Sequence, residues 1–303
     1  MYTPVIGFRD TLAKSKPTVS VIIPAYNGSG TLRLALQTVL WQDFTDFEVW
    51  VIGDGCVDDS ENVVASFRDD RVHWMNLPSN SGGPSLPREK GLRHANGQYI
   101  AYIGQDDLWF PWHLSELVCC IETSNSNFAY SLGAIMGPGG IIGTFSLSHE
   151  LWSPSEFISP INWLHTKNLF DVIGSWATFG KYGDDREFLR RLFDANVSLE
   201  FRRQLTVLKF PAAMWHMYSI KKDFPQTRYV KAIYEDATKL RNELLLEFAA
   251  FASIRHEPSS PLYTRVFSYS IDRLIRTYGL HRWPVNLLLY RRYRQLAGLN
   301  GSS

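Results

Sequence analysis

The chain has 303 residues, enough for one large domain with appendages or two modest ones. Lysine and arginine number 31 against 30 aspartates and glutamates, a balance that predicts no nucleic-acid partner. Hydrophobic residues at 45% and charged residues at 20% exclude a disordered or fibrous chain. Aromatic residues make up 14%, which suits stacking on bases or sugar faces and equally the filling of a large core. Cys56, Cys119 and Cys120 are odd in number and have neither a disulfide-framework nor a zinc spacing, which points to a reducing compartment. The first residues, MYTPVIGFRDTLAKSK, have no apolar core of signal-peptide length, and no run reaches the length of a membrane span. A cytoplasmic location is expected.

Residues 1–16 read as an N-terminal extension. VSVIIPAY, Val19 to Tyr26, is a continuous apolar and β-branched run, the pattern of a strand buried on both faces. Leu32, Ala35, Leu36, Val39 and Leu40 then recur at helical spacing, with Ser29 or Thr31 as the expected cap. FEVWVI, Phe47 to Ile52, is a second buried strand and runs into GDGC. Asp58, Asp59 and Ser60 precede a helix carrying Val63, Val64 and Phe67. VHWMNL, Val72 to Leu77, is a third strand, and Pro87 suits the first turn of a short helix reaching Ala95. YIAYIG, Tyr99 to Gly104, is a fourth strand, and the adjacent carboxylates Asp106 and Asp107 follow it.

This rhythm predicts an α/β fold with a doubly wound, mostly parallel sheet and right-handed crossovers. Such sheets bind ligands beyond the carboxyl ends of their strands, so Asp54 and the Asp106–Asp107 pair should converge on one crevice. From Phe128 to about Pro211 the chain is less periodic, richer in glycine, serine and aromatics, with a turn expected at GPGGIIG and a helix after Asp184 and Asp185. Val230, Ile233, Tyr234, Ala237, Leu240, Leu244, Phe248 and Phe251 trace one face of a long helix that EPSSP ends. From Leu262 onward seven arginines stand against the single Asp272.

A dinucleotide site would need G-x-G-x-x-G after the first strand, but YNGSGTL offers Gly28 and Gly30 without a third glycine at that spacing. There is no G-x-x-x-x-G-K-[ST] either. A bound diphosphate would need its charge met in another way, and a divalent cation on Asp106 and Asp107 would do so.

VSVIIPAYN, VIGDGCVDDS, NSGGPSLPREKGL and GQYIAYIGQDDLWFPWHL, in this order and spacing, resemble the nucleotide-sugar half of family 2 glycosyltransferases with the GT-A fold. HTKNLFDVIGSW and GDDREFLRRL resemble that family's acceptor-side segments more weakly. The resemblance implies a GT-A domain over residues 17–215, split at 115/116 into nucleotide-sugar and acceptor halves, followed by a helical region over 216–303 with a basic tail. It places Pro24, Ala25 and Tyr26 at the nucleoside, and Asp54 at a base N–H. Asp106 and Asp107 would hold the ribose and a Mn2+ or Mg2+ ion, Arg88 would stand near the phosphates, and Asp185 would be the general base. His165, Trp176 and Asp184 are further candidates on the acceptor or diphosphate side. One departure from the family is Gly104, where a carboxylate often stands two positions before the second acid of its D-x-D motif.

Each residue also has a plainer reading. The Asp106–Asp107 pair could end a strand and cap the next helix, Asp54 could serve a turn, and Arg88 could be a solvated helix charge. Asp184 or Asp185 could cap a helix, and His165 and Trp176 could simply pack. For the basic tail, the readings are packing on the catalytic domain, a homodimer contact, or peripheral contact with an anionic membrane surface at its inner face. The expected activity is metal-dependent, inverting transfer of a sugar from a nucleoside diphosphate, UDP first, to a hydroxyl of a sugar or lipid-linked acceptor in polysaccharide or glycoconjugate synthesis. The rivals are a nucleotide-sugar-binding protein without turnover and, because the sheet is similar, a nucleotidyltransferase. The last would need a basic glycine-rich loop, and YNGSG has no lysine or arginine.

Overall fold

A computed structural model describes residues 16–145, 158–176, 184–220 and 222–255. Three strands open the sheet: β1 (Val19–Ala25), β2 (Phe47–Gly53) and β3 (Val72–Asn76), followed by β4 (Tyr99–Tyr102). Between them lie α1 (Ser29–Leu40), α2 (Ser60–Ala65) and α3 (Ser85–His94). β1 pairs in parallel with β2 and β4, and β2 with β3, which is the expected doubly wound half. Val19, Val21 and Ile23 pack under Leu32 and Leu36 of α1, while Ile22 between them packs against Leu92 of α3 on the other face. The two-residue alternation of a strand thus explains why the whole run is apolar.

The second half is mixed. It comprises β5 (Leu108–Trp109), α4 (His113–Ser124), β6 (Phe128–Gly137), β7 (Gly140–Phe145), β8 (Trp163–Thr166), α5 (Leu169–Ile173), α6 (Asp184–Asp194) and β9 (Leu199–Lys209). The strand order is β3-β2-β1-β4-β8-β6-β9-β5, with β7 paired to β6. β8 is antiparallel to both β4 and β6, and β5 is antiparallel to β9, while β6 and β9 pair in parallel. The expected turn at Pro138–Gly139 joins β6 to β7.

α7 (Ala212–Trp215) leads to α8 (Gln226–Arg255), which is kinked at Asp236. There the Asp236 carboxylate accepts the Lys239 N–H at 2.8 Å and restarts the helix in the manner of an N-cap. Tyr229, Val230, Ile233, Leu240 and Leu244 of α8 share one core cluster with Leu108, Ala134, Met136 and Leu208. α8, in the helical region expected from residue 216, thus packs against residues of β5, β6 and β9. The N-terminal extension up to residue 15 and the basic tail from 256 lie outside the described residues. No helix among the described residues is long and apolar enough to cross a membrane.

Candidate active site

The carboxyl ends of β1, β2 and β4 meet at one edge, as parallel pairing requires. At the end of β1 the chain turns at Tyr26, whose backbone N–H and C=O are both held by the Gln105 side chain, at 2.8 and 3.0 Å. Gln105 fills the space in which a Cβ on Gly28 would sit, 2.5 Å away. The expected side-chain cap of α1 is replaced: Asp58 accepts the Ser29 N–H at 2.8 Å, and Gly28 occupies the cap position. Asp54 is buried, donates its N–H to Ala25 O and accepts the Ser81 N–H at 2.9 Å, tying the β3–α3 loop to the end of β2.

A cavity of about 250 Å³ opens here, lined by Asn27, the first turn of α1, Gln105, Asp106, Met217 and Tyr218, among others. Of the residues expected at the donor, Asp106 lines it. Pro24 and Ala25 belong to β1 beneath it, and the Tyr26 ring lies 6.4 Å from that of Tyr218. Phe224 closes the cavity floor against Gly30, where a Cβ would stand 2.3 Å from the ring. Gln226, at the start of α8, donates to Asp106 O at 2.8 Å. The C-terminal segment therefore completes this cavity, and no motif announced that.

The two adjacent carboxylates have separate tasks. Burial, and then the neighbouring Asp107 charge, push the Asp106 carboxyl up to about 7, despite opposition from Lys209. Asp107 is fully buried and turned inward. One of its oxygens accepts the Phe210 N–H at 2.9 Å and the other an N–H of the Lys209 ammonium at 3.1 Å. Pairing of Leu108 with Leu208 across β5 and β9 sets Lys209 opposite Asp107. Burial would lower the Lys209 pKa, but Asp107, Asp106 and more weakly Asp185 outweigh it and the pKa is raised. Gly104 now has a physical reason: a Cβ there would stand 2.6 Å from Asp107 Oδ2 and 3.1 Å from Asp106 Oδ1.

A divalent cation fits this donor set at one residue. Among the described residues no group of three or more histidine, cysteine or acidic side chains is arranged to hold a metal. Of the two carboxylates expected to hold it, Asp106 lines the cavity, while Asp107 is fully buried with a hydrogen bond to each oxygen. One carboxylate with substrate phosphates and water is a common way to hold Mg2+.

Asp185, near the start of α6, is paired with Arg88 of α3, Nη1 to Oδ1 at 2.5 Å. The Arg88 guanidinium is buried and lies 4.7 Å from the centre of the Trp176 ring. Trp176 donates its indole N–H to Tyr102 Oη at 3.0 Å, and Tyr102 meets His165 Nε2 at 3.1 Å. His165 Nδ1–H ends the chain on Thr166 O at 2.9 Å, so Nε2 accepts from the Tyr102 hydroxyl. Burial lowers the His165 pKa to about 4 and keeps the ring neutral. His165 and Trp176, expected on the acceptor or diphosphate side, are buried, and through Trp176 this chain packs against Arg88, which pairs with Asp185. Arg88, expected near the phosphates, is outside the cavity lining. Asp184 is the first residue of α6, and its side chain is outside what the structure describes.

The sheet, its helices and the acidic crevice define a GT-A-type fold. The resemblance to S. aureus TarS, solved with UDP-GlcNAc, has a TM-score of 0.57 at 21% identity and covers 77% of this chain and 72% of that one. The mannosyltransferase PcManGT from Pyrobaculum calidifontis, solved with GDP-Man and Mn2+, gives a TM-score of 0.51 at 15% identity, covering 96% of this chain and 77% of that one. The family model described as Glycosyl transferase family 2 matches residues 20–184, more than half of the chain. The chain belongs to glycosyl transferase family 2.

Among curated relatives, the Escherichia coli UDP-Glc:alpha-D-GlcNAc-diphosphoundecaprenol beta-1,3-glucosyltransferase is 28% identical over 42% of this chain and 50% of its own length. The Campylobacter jejuni GalNAc(5)-diNAcBac-PP-undecaprenol beta-1,3-glucosyltransferase is 30% identical over 39% of this chain and 38% of its own length. The matched region thus spans half or less of these relatives.

Proposed function

We propose that the protein is an inverting glycosyltransferase that moves a sugar from UDP to a hydroxyl of a lipid-linked saccharide, working at the inner face of a membrane. Family membership supports the reaction class, the name of the Escherichia coli relative supports a UDP-sugar donor, and the names of both relatives support a diphosphate-lipid acceptor. The observation that carries the donor site is Asp106: an anionic side chain with a raised pKa, lining a cavity at the carboxyl end of a parallel sheet. Asp54 and Tyr26 flank that edge and suit a base N–H and a base face.

In the proposed reaction the acceptor oxygen bonds to the anomeric carbon while the bond from that carbon to the β-phosphate oxygen breaks, and the electron pair leaves with UDP. Asp185 takes the acceptor proton, a role worth about 10²–10⁴-fold. A single carboxylate acting on the attacking hydroxyl gives inversion, because no protein nucleophile intervenes. The Arg88 pair holds the Asp185 carboxylate oriented. A Mn2+ or Mg2+ ion on Asp106 would supply positive charge against the departing diphosphate.

The test is a thermal-shift panel of UDP, GDP, dTDP and CDP with and without Mn2+, on the wild type and Asp106→Asn. A ligand at a hundred times its Kd adds about 2.7 kcal/mol. The expected result is a UDP-selective shift that grows with Mn2+, with the metal-dependent part lost in Asp106→Asn. No shift with any of the four, in either condition, overturns the donor site.

A further inference from the structure

We infer that Lys209 binds the β-phosphate of the donor, the phosphate that carries the sugar. This rests on the donor-site reading above and adds to it a residue that no motif contains. Lys209 ends β9, and the β5–β9 register sets it beside Asp107. Its ammonium has three donors, and the single hydrogen bond drawn from it among the described residues goes to Asp107 Oδ2 at 3.1 Å. Its side chain keeps 28% of its surface exposed, so the remaining donors are open to a ligand, whereas the Asp107 side chain is at 1%. The charges of both Asp106 and Asp185 act on it as well. The carboxylate it holds, Asp107, is the chain neighbour of Asp106, the acid that lines the donor cavity.

The charges around it agree. Arg88 pairs with Asp185 through Nη1 and is buried against Trp176, away from the acidic pair, and its Nε has no partner among the described residues. The carboxyl groups of Asp106 and Asp107 offer a diphosphate no positive charge of their own. Of the two cations with unused donors here, Lys209 is the one hydrogen-bonded to the acidic pair, and an ammonium acts on phosphate as a point charge without a fixed fork.

The experiment is calorimetric titration of UDP and UMP in saturating Mn2+ on the wild type, Lys209→Met and Lys209→Met with Asp107→Asn. The double variant removes the buried pair together, so Asp107 is not left as an unpaired buried charge. The expected result is a UDP Kd raised about tenfold or more in both variants, with the UMP Kd unchanged, since UMP lacks the β-phosphate. If the double variant regains wild-type UDP affinity, or if UMP weakens equally, Lys209 serves only to hold Asp107 and the inference is wrong. Wild type that binds neither nucleotide overturns the donor-site reading itself, and this inference with it.

Discussion

Replacing Gly104 with alanine adds one methyl group at the most crowded point of the acidic loop. The new Cβ would stand 2.6 Å from Asp107 Oδ2 and 3.1 Å from Asp106 Oδ1, so Oδ2 must retreat by close to an ångström to reach ordinary contact. It has nowhere cheap to go, because Asp107 is fully buried and its two oxygens are held by Phe210 N–H and Lys209. Losing one such charge-assisted bond costs about 1.5–3 kcal/mol. The lower entropy of the unfolded alanine chain returns about 0.4–1 kcal/mol. The net loss is about 0.5–2.6 kcal/mol, and at about 2–4 °C per kcal/mol for a chain of this size the melting midpoint falls by about 1–10 °C. Differential scanning calorimetry at pH 7 reads this directly. The same displacement moves Asp106, so Mn2+-dependent UDP affinity should fall too. A midpoint equal to or above the wild type, with UDP affinity intact, would refute the packing argument for Gly104.

Two pH effects follow with defined signs. With its pKa raised to about 7, Asp106 is protonated below that pH, so Mn2+-dependent UDP affinity should climb between pH 6 and 8 and then level. In Asp106→Asn the climb should vanish, and calorimetry at three pH values checks it. For His165 the folded pKa of about 4 lies below the ordinary 6.5, so its neutral form stabilises the fold fully above pH 6.5 and that contribution is lost as pH falls toward 4. The loss is about 3 kcal/mol over that window. Urea unfolding of His165→Gln at pH 7 and pH 4.5 should show a lower stability at pH 7 but a smaller drop on acidification; a drop equal to that of the wild type contradicts the assignment.

The parallel half of the fold was legible because its strands are buried on both faces. Continuous apolar runs such as VSVIIPAY and FEVWVI match β1 and β2 to within a residue at each end. The mixed half was not, because β8 and β9 owe their places to distant partners: β8 inserts between β4 and β6, and β9 pairs with β5 about a hundred residues earlier. The site divides the same way. Asp54 and Asp106 could be placed at strand ends by counting, whereas the inward turn of Asp107 depends on Phe210 and Lys209, which lie in the less periodic stretch and belong to no motif. The Arg88–Asp185 pair likewise joins residues 97 positions apart. His165 and Trp176 drew attention as polar and aromatic residues in a resembling segment, but the hydrogen-bond chain through Tyr102 shows them supporting the pair from behind.

The central claim is that Asp185 removes the acceptor proton while the Asp106 side of the crevice holds the donor. It is tested most directly by the rate of UDP release from UDP-glucose with an undecaprenyl-diphosphate-linked GlcNAc acceptor, compared between the wild type and Asp185→Asn, alongside UDP affinity. The account predicts a kcat lower by about 10²-fold or more in the variant with the UDP Kd unchanged. Transfer by Asp185→Asn at close to the wild-type rate would contradict it.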